Sequence, residues 1–472
     1  MDKTTSAKTG STLKLFGTDG IRGTSNQFPM RVDLVVKVGQ AIGVILNRLQ
    51  QQTAKNNSTT VLSQPKVLIG KDTRLSGYMI EMALASGLSS MGVYVQMVGP
   101  LPTPGIGFLT RSMRASAGIV ISASHNPYVD NGIKIFGSDG FKFSDQLEKE
   151  IERLVAEDQL EKYLPPPNKI GRTKRIDDAQ GRYIIHVKSS FPMDYTLDGM
   201  RLVLDTANGA SYKVARAIFE ELGAEVIQIG DEPNGVNIND KMGALHPESV
   251  AKAVIDYRAD VGISLDGDAD RVIMVDEKGQ VMNGDHILGI CALHLKKKGE
   301  LKNNTLVVTH MSNFGLEKKM KENGIQVVKV GVGDKYVVEE LRKSKCNLGG
   351  EQSGHIIFLD HSSTGDGCVA ALNVLAVMKE TGRPLSELNS SIEDVPQVLI
   401  NVKVKRKADL DEVKGYSDLI ENIEKKLSGN GRVFVRFSGT EPLVRVLVEG
   451  PDRHLINQYA NEIALLLEKN LV

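Results

Sequence analysis

Cysteine is scarce: the chain of 472 residues has three, Cys291, Cys346 and Cys368, an odd number with neither CxxC nor metal-ligand spacing. That excludes a disulfide scaffold and a thiolate metal site, and it predicts buried thiols in a reducing compartment. Net charge is lacking as well, with 58 Lys and Arg against 58 Asp and Glu. Without an excess of one sign, no global field draws nucleic acid or an anionic membrane, so any affinity for phosphate has to be local. No run of eighteen apolar residues occurs, and residues 1–12 are polar with no apolar stretch. Neither a membrane span nor a secretory signal is supported, and the expected location is cytoplasmic. No repeat of solenoid length is visible.

What is present is the composition of a globular protein, 41% apolar and 25% charged, at a length too great for one core. Leu34, Val35, Val38, Ala41, Ile42, Ile45, Leu46 and Leu49 follow the helical period, and polar residues 51–64 are then expected to form a loop. Strands are predicted at 66–70, 92–98 and 116–121, with a helix near 76–90. The alternation returns with strands at 201–205, 224–229 and 261–265 and helices near 209–222 and 247–258, and again through 304–309, 314–323, 325–330 and 334–344. Such alternation implies βαβ units on mostly parallel or mixed sheets. Residues 397–405, 415–427, 432–437, 443–449 and 453–468 read strand, helix, strand, strand, helix, which implies an antiparallel pair in a small α+β domain. The expected fold class is α/β: three βαβ-type domains with mixed sheets, 1–175, 176–281 and 282–392, and a smaller C-terminal α+β domain, 393–472.

Asp266, Asp268 and Asp270 place three carboxylates at alternate positions, an arrangement able to hold a hard divalent cation. They also match the first three ligands of an EF-hand loop, with Glu277 at its twelfth position. The sixth position of that loop needs glycine and is Arg271 here, while 261–265 and 272–275 read as strands. Strand, acidic turn, strand is the better description. Far upstream, Ser124 opens a Ser-His-Asn-Pro run after the apolar strand 118–121, where α/β proteins place reactive groups, and Lys134 follows closely. A hydroxyl that carries phosphate needs a divalent ion to offset its charge, so the two segments together suggest phosphoryl transfer. Ser124 would be the carrier and Lys134 an acid–base or charge-stabilising group. A Ser-Lys hydrolase and a plain turn stay open as readings of the serine itself.

Three further loops carry polar groups between glycines. Residues 16–23 hold three glycines and Arg22, which such a backbone can bring against an anion. Residues 349–355 carry Glu351, Gln352, Ser353 and His355, donors and acceptors suited to sugar hydroxyls. Residues 436–442 offer Arg436, Ser438, Thr440 and the N–H groups around Gly439, a set suited to a phosphate dianion. Each loop alone reads equally well as a turn.

Taken in order, these stretches, with 70–77, 121–136, 205–212, 234–239 and 266–276, resemble the α-D-phosphohexomutase superfamily over nearly the whole chain. Residues 16–23, 349–355 and 436–442 favour its glucosamine branch over the mannose and glucose branch. The resemblance implies a heart-shaped, four-domain enzyme whose central cleft receives one loop from each domain. It implies reversible interconversion of glucosamine 6-phosphate and glucosamine 1-phosphate through a phosphoserine and a 1,6-bisphosphate, supplying precursors of UDP-N-acetylglucosamine and the cell wall.

By the same resemblance Ser124 is the phosphoserine, and Asp266, Asp268 and Asp270 hold Mg²⁺ together with it. Arg271 lies beside the phosphate, Glu351 and Ser353 grip sugar hydroxyls, and Arg436, Ser438, Gly439 and Thr440 bind the phosphate that is not transferred. Lys134, Arg22 and His355 are acid–base or electrostatic candidates. Glucosamine 1,6-bisphosphate or glucose 1,6-bisphosphate is the implied activator. The implied partners are a phosphosugar and either an activating kinase or autophosphorylation at Ser124, in a monomer or homodimer that binds neither nucleic acid nor membrane. Two positions depart from the pattern: Ala269 stands where the superfamily often has Gly, and Lys335 where it usually has Arg, which removes a planar fork.

Overall fold

A computed structural model describes residues 13–56, 64–405, 409–437 and 442–471. Four sheets follow one another along the chain. The first holds β1 (Ile21–Thr24), β2 (Lys66–Lys71), β3 (Tyr94–Pro100), β4 (Ala117–Ile121), β5 (Asp130–Gly137) and β6 (Thr173–Arg175), in the order β1-β5-β4-β2-β3-β6. The second holds β7 (Arg201–Asp205), β8 (Glu225–Ile229), β9 (Val261–Leu265), β10 (Val272–Asp276) and β11 (Val281–Met282), ordered β11-β10-β9-β7-β8. In both, a parallel centre continues into antiparallel strands at one edge. The third, β12 (Thr305–Thr309), β13 (Gln326–Val330), β14 (Leu348–Gly350) and β15 (Ile356–Phe358), is likewise mixed. The fourth, β16 (Gln397–Lys403), β17 (Arg432–Phe437) and β18 (Leu443–Glu449), is wholly antiparallel. The expected α/β class with a small C-terminal α+β unit is therefore what the chain adopts.

One expectation fails. Residues 51–56 continue the helix Val32–Asn56 instead of starting a loop. Gln, Ala and Lys are good helix formers, so polarity alone does not end a helix. Residues 57–63 of the expected loop lie outside the described residues, as do residues 1–12.

A single apolar cluster runs through the first three sheets, joining Leu68, Leu204, Leu265, Leu306 and the buried helix Gly367–Thr381. Tyr183, fully buried, donates its hydroxyl to Asp366 Oδ2 at 2.9 Å and ties the segment after the first sheet to the start of that helix. Shared packing of this kind holds the first three sheets against one another. The fourth sheet has a core of its own and docks through Glu449, which is fully buried and accepts from Phe314 N at 3.2 Å and from Arg432. All three cysteines are buried and free, and no helix among the described residues is long and apolar enough to cross a membrane.

Candidate active site

The turn after β4 carries Ser124, whose φ is +52°, in a left-handed conformation that a residue with a Cβ adopts only where its surroundings impose it. Its Oγ donates to Asp266 Oδ2 at 2.6 Å, across from the first sheet to the second. Asp266, Asp268 and Asp270 lie in the turn between β9 and β10, all buried, with one oxygen of each within 4.8 Å of the others. Ala269 takes φ +55° to make that turn, so it stands where glycine would be unstrained. Glu277, the twelfth position of the rejected EF-hand reading, spends both oxygens on Ser386.

Lys134, on β5, is 1% exposed and places Nζ 3.0 Å from Asp268, 3.1 Å from Asp19 and 3.3 Å from Asp270. Burial by itself would lower its pKa, but the three carboxylates outweigh that and raise it well above the ordinary value. Burial works equally against the charge of Asp270, which Lys134 and His355 nevertheless hold well below the usual range. On Asp266, burial and its two acidic neighbours outweigh the opposing pull of Arg271 and push the pKa well up. Asp268 Oδ1 and Asp270 Oδ1 are buried with no hydrogen-bond partner among the described residues. Two orphaned anionic oxygens beside a third carboxylate are costly unless a cation joins them, so the donor set fits a hard divalent metal ion.

Arg22, on β1, pairs with Asp19, whose carboxylate also meets Lys134 and Lys142. His355 sits just before β15 and accepts from Gly365 N at 3.0 Å on Nε2. Burial by itself would lower its pKa, but Asp270 and Asp334 outweigh that and raise it above the ordinary value. Its Nδ1 lies 3.5 Å from Asp270 Oδ1 and its Nε2 3.6 Å from Asp334 Oδ2. Arg271 donates its backbone N–H to Asp266 Oδ1 at 3.1 Å, and Glu351 Oε1 accepts from Gly333 N at 3.1 Å.

These groups meet around a cavity of about 220 Å³, lined by Arg22, Ser124, Asp270, Arg271, Glu351 and His355 with Asp19 and Asp334. A larger cavity of about 490 Å³, lined by Glu351, Gln352, Ser353, Thr309, Met311 and Gln397, shares Val332 and Glu351 with it. Arg436 is not brought to either cavity: it lies on β17 opposite Arg445, and burial and that neighbour lower its pKa. Ser438, Gly439 and Thr440 lie outside the described residues. Lys335 pairs with Asp145 at the surface.

Residues 13–162, 181–279, 283–395 and 399–466 match, in turn, the family models for phosphoglucomutase/phosphomannomutase α/β/α domains I, II and III and the C-terminal domain. The phosphoglucosamine mutase of Bdellovibrio bacteriovorus is 70% identical over 458 residues, covering 97% of this chain and 99% of that protein. The chain belongs to the phosphohexomutase superfamily. The phosphoglucosamine mutase of Myxococcus xanthus is 54% identical over 97% of each. Among solved structures, a Burkholderia thailandensis phosphoglucomutase/phosphomannomutase family protein shares the fold at a TM-score of 0.77 and 22% identity, covering 97% of both chains. Aspergillus fumigatus N-acetylphosphoglucosamine mutase, solved with GlcNAc-6P and magnesium, does so at 0.65 and 17%, covering 98% of this chain and 96% of that one.

Several residues that shape this phosphohexomutase site escaped the sequence reading. Asp19 lies in the 16–23 stretch, three residues before Arg22. Thr103 donates Oγ1 to Asp268 Oδ2 at 2.6 Å from the start of helix Thr103–Ser112, and nothing in its neighbourhood marks it. Lys142 bridges Asp19 and Asp334, linking the first sheet to the third, a contact visible only in three dimensions.

Proposed function

We propose that this phosphohexomutase interconverts glucosamine 6-phosphate and glucosamine 1-phosphate, with Ser124 carrying the phosphoryl group between turns. Near-full-length relatives at 53–70% identity named phosphoglucosamine mutase support the substrate. The observation that carries the chemistry is Ser124 Oγ at 2.6 Å from Asp266, beside carboxylate oxygens that lack partners. Asp266, Asp268, Asp270 and Ser124 would hold Mg²⁺, which when bound offsets the roughly −1.5 to −2 charge of the phosphoserine.

The chain's own groups then divide the remaining work. Arg22 serves as fixed positive charge by the reacting phosphoryl, together with Arg271. Lys134, its ammonium held charged by three carboxylates, is the leading acid–base or charge-stabilising group, with His355 as the alternative through Nδ1. Glu351 and Ser353 accept and donate to sugar hydroxyls in the larger cavity. Arg436, with Ser438, Gly439 and Thr440, anchors the phosphate that is not transferred. A loose phosphoryl transition state asks for this positioning and charge more than for covalent help.

A bisphosphate released part-way and rebound the other way round would exchange the two ends, which makes glucosamine or glucose 1,6-bisphosphate the activator. Initial loading of Ser124 falls to a kinase or to self-phosphorylation. The divisions near 175, 281 and 392, a cytoplasmic setting, a monomer or homodimer and a role in supplying UDP-N-acetylglucosamine belong to the same proposal. Because the family models carry the names phosphoglucomutase and phosphomannomutase, a glucose or mannose mutase is the second reading.

Coupled assays on the 6-phosphates of glucosamine, glucose and mannose separate the two. Intact-mass analysis should show a phosphate adduct on active protein that Ser124→Ala lacks, with activity lower by orders of magnitude. Near-normal turnover by Ser124→Ala would sink the role given to Ser124.

A further inference from the structure

Residues 70–77 and 234–239 have no part in the proposed chemistry, yet one side chain from each, Arg74 and Asn239, reaches the backbone of the Ser124 turn. Arg74 is fully buried and spends every guanidinium donor. Nη2 donates to Ser124 O and Asn126 O, both at 2.8 Å, Nη1 to Pro127 O and to Asp130 O at 3.1 Å, and Nε to Asp72 Oδ2 at 2.8 Å. The same Asp72 oxygen accepts from Ser122 Oγ at 2.6 Å, and Ser122 Oγ accepts from Ser124 N at 2.9 Å. Both backbone groups of Ser124 are thus tied to one buried ion pair. From the second sheet's side, Asn239 Nδ2 donates to two of the same carbonyls, Ser124 O at 2.9 Å and Asn126 O at 3.1 Å.

We infer that Arg74 and Asn239 are positioning residues, a two-sided clamp that holds the left-handed Ser124 with its Oγ on the metal-binding carboxylates. The inference rests on Ser124 being the phosphoryl carrier. A left-handed residue with a Cβ relaxes unless its surroundings forbid it, and four carbonyls turned toward one guanidinium forbid it here. Lysine could not replace Arg74, since one ammonium cannot reach four carbonyls and a carboxylate in a plane. Asn239 adds what Arg74 cannot: it belongs to the unit that carries Asp266, being held by its own N–H on Ala207 O at 2.9 Å.

Gly267, inside the acidic turn, fits the same design. A Cβ there would lie 2.6 Å from Ser124 O and 2.8 Å from Asn239 Nδ2, so the two turns are pressed together with no side chain between them. Because the clamp grips carbonyls and never the hydroxyl, it is indifferent to whether Ser124 carries phosphate. The Oγ can therefore return to one place on every turnover.

The test uses the full-length protein with Asn239→Gly, which accepts the φ of +59° found at this position and removes the amide, and Asn239→Asp, which keeps the shape and loses the donor. kcat, KM, the thermal midpoint and the rate of Ser124 phosphorylation by glucose 1,6-bisphosphate, read by intact mass, are measured for each. A kcat and a phosphorylation rate both lower by roughly tenfold or more are expected, with KM within about twofold and the midpoint within about 4 °C. Wild-type phosphorylation rate and kcat in both variants overturn the clamp, as does a change confined to KM or to the midpoint. If Asn239→Gly does not fold, Asn239→Asp and amide exchange across residues 123–130 decide: faster exchange of that segment is expected, and unchanged exchange overturns the inference. Active wild type with no phosphate on Ser124 would instead refute the role of Ser124, on which the clamp depends.

Discussion

Replacing Lys134 with methionine removes an ammonium that lies 3.0, 3.1 and 3.3 Å from three carboxylates, Asp268, Asp19 and Asp270, in a site with almost no solvent. Breaking a buried ion pair by deleting one partner costs about 3–5 kcal/mol, because the other charge is left without compensation. Asp19 keeps Arg22 and Lys142, so the lower end, about 3 kcal/mol, is expected here. A divalent cation supplies the missing charge to Asp268 and Asp270. At free Mg²⁺ of about 100 times Kd, binding to the folded state adds about 2.7 kcal/mol, enough to restore most of the loss. Lys134→Met should therefore have a lower thermal midpoint than wild type in EDTA and a larger rise with Mg²⁺, while its mutase activity stays low. Calorimetric titration should show tighter Mg²⁺ binding, by about tenfold if some 1.4 kcal/mol of competition from the ammonium is relieved. Equal stability in EDTA and equal Mg²⁺ affinity would mean that the three contacts carry no net energy, and the electrostatic account of the site would fall.

Gly365→Ala should lower kcat by roughly 100-fold, because the new Cβ would lie 2.5 Å from Asp270 O and 2.6 Å from His355 Nε2; steady-state kinetics with an unchanged kcat would contradict that packing. Arg436→Lys keeps the charge but loses the planar fork, so kcat/KM should drop about tenfold or more in both directions, and an effect in one direction alone would refute the two-ended anchor. Asp366 is buried and its carboxyl is pushed up to about 6, chiefly by desolvation. A raised folded-state pKa stabilises below the unfolded value near 4 and is lost as pH rises through about 6. Asp366→Asn should accordingly flatten the fall in stability between about pH 4 and pH 6, and an unaltered pH profile in chemical denaturation would count against the shift.

The chemistry of this chain was legible where a few adjacent residues suffice for it. Three alternate aspartates between two apolar strands predict a turn able to hold a cation, and the three carboxylates do converge, since strands and turn all lie within 261–276. The serine after an apolar strand and the glycine-punctuated loops are local in the same sense. Helices with one apolar face, such as Asp334–Ser344, and strands such as β7 and β9 could be read because their period survives in the sequence. Helix Gly367–Thr381 could not be read, because it is buried nearly all round and has no polar face to set a period.

Tertiary structure decided what depends on distance across the fold. Lys134 and Asp268 are 134 residues apart in sequence, Asn239 and Ser124 are 115 apart, and Lys142 and Asp334 are 192 apart. Propensity and pattern carry no information on such pairs, which exist only because one apolar cluster fixes three sheets against one another. The protonation states follow from the same packing. Burial and two acidic neighbours push Asp266 up, while Lys134 and His355 overcome burial and hold Asp270 down, although the two are the same residue type four positions apart in one turn. The sequence by itself determined which groups are available for phosphoryl transfer, because those are properties of residues and of short turns. Which groups face one another, and in which state of charge, was decided by long-range packing, because electrostatic energies depend on separation and solvent exclusion that no local pattern encodes.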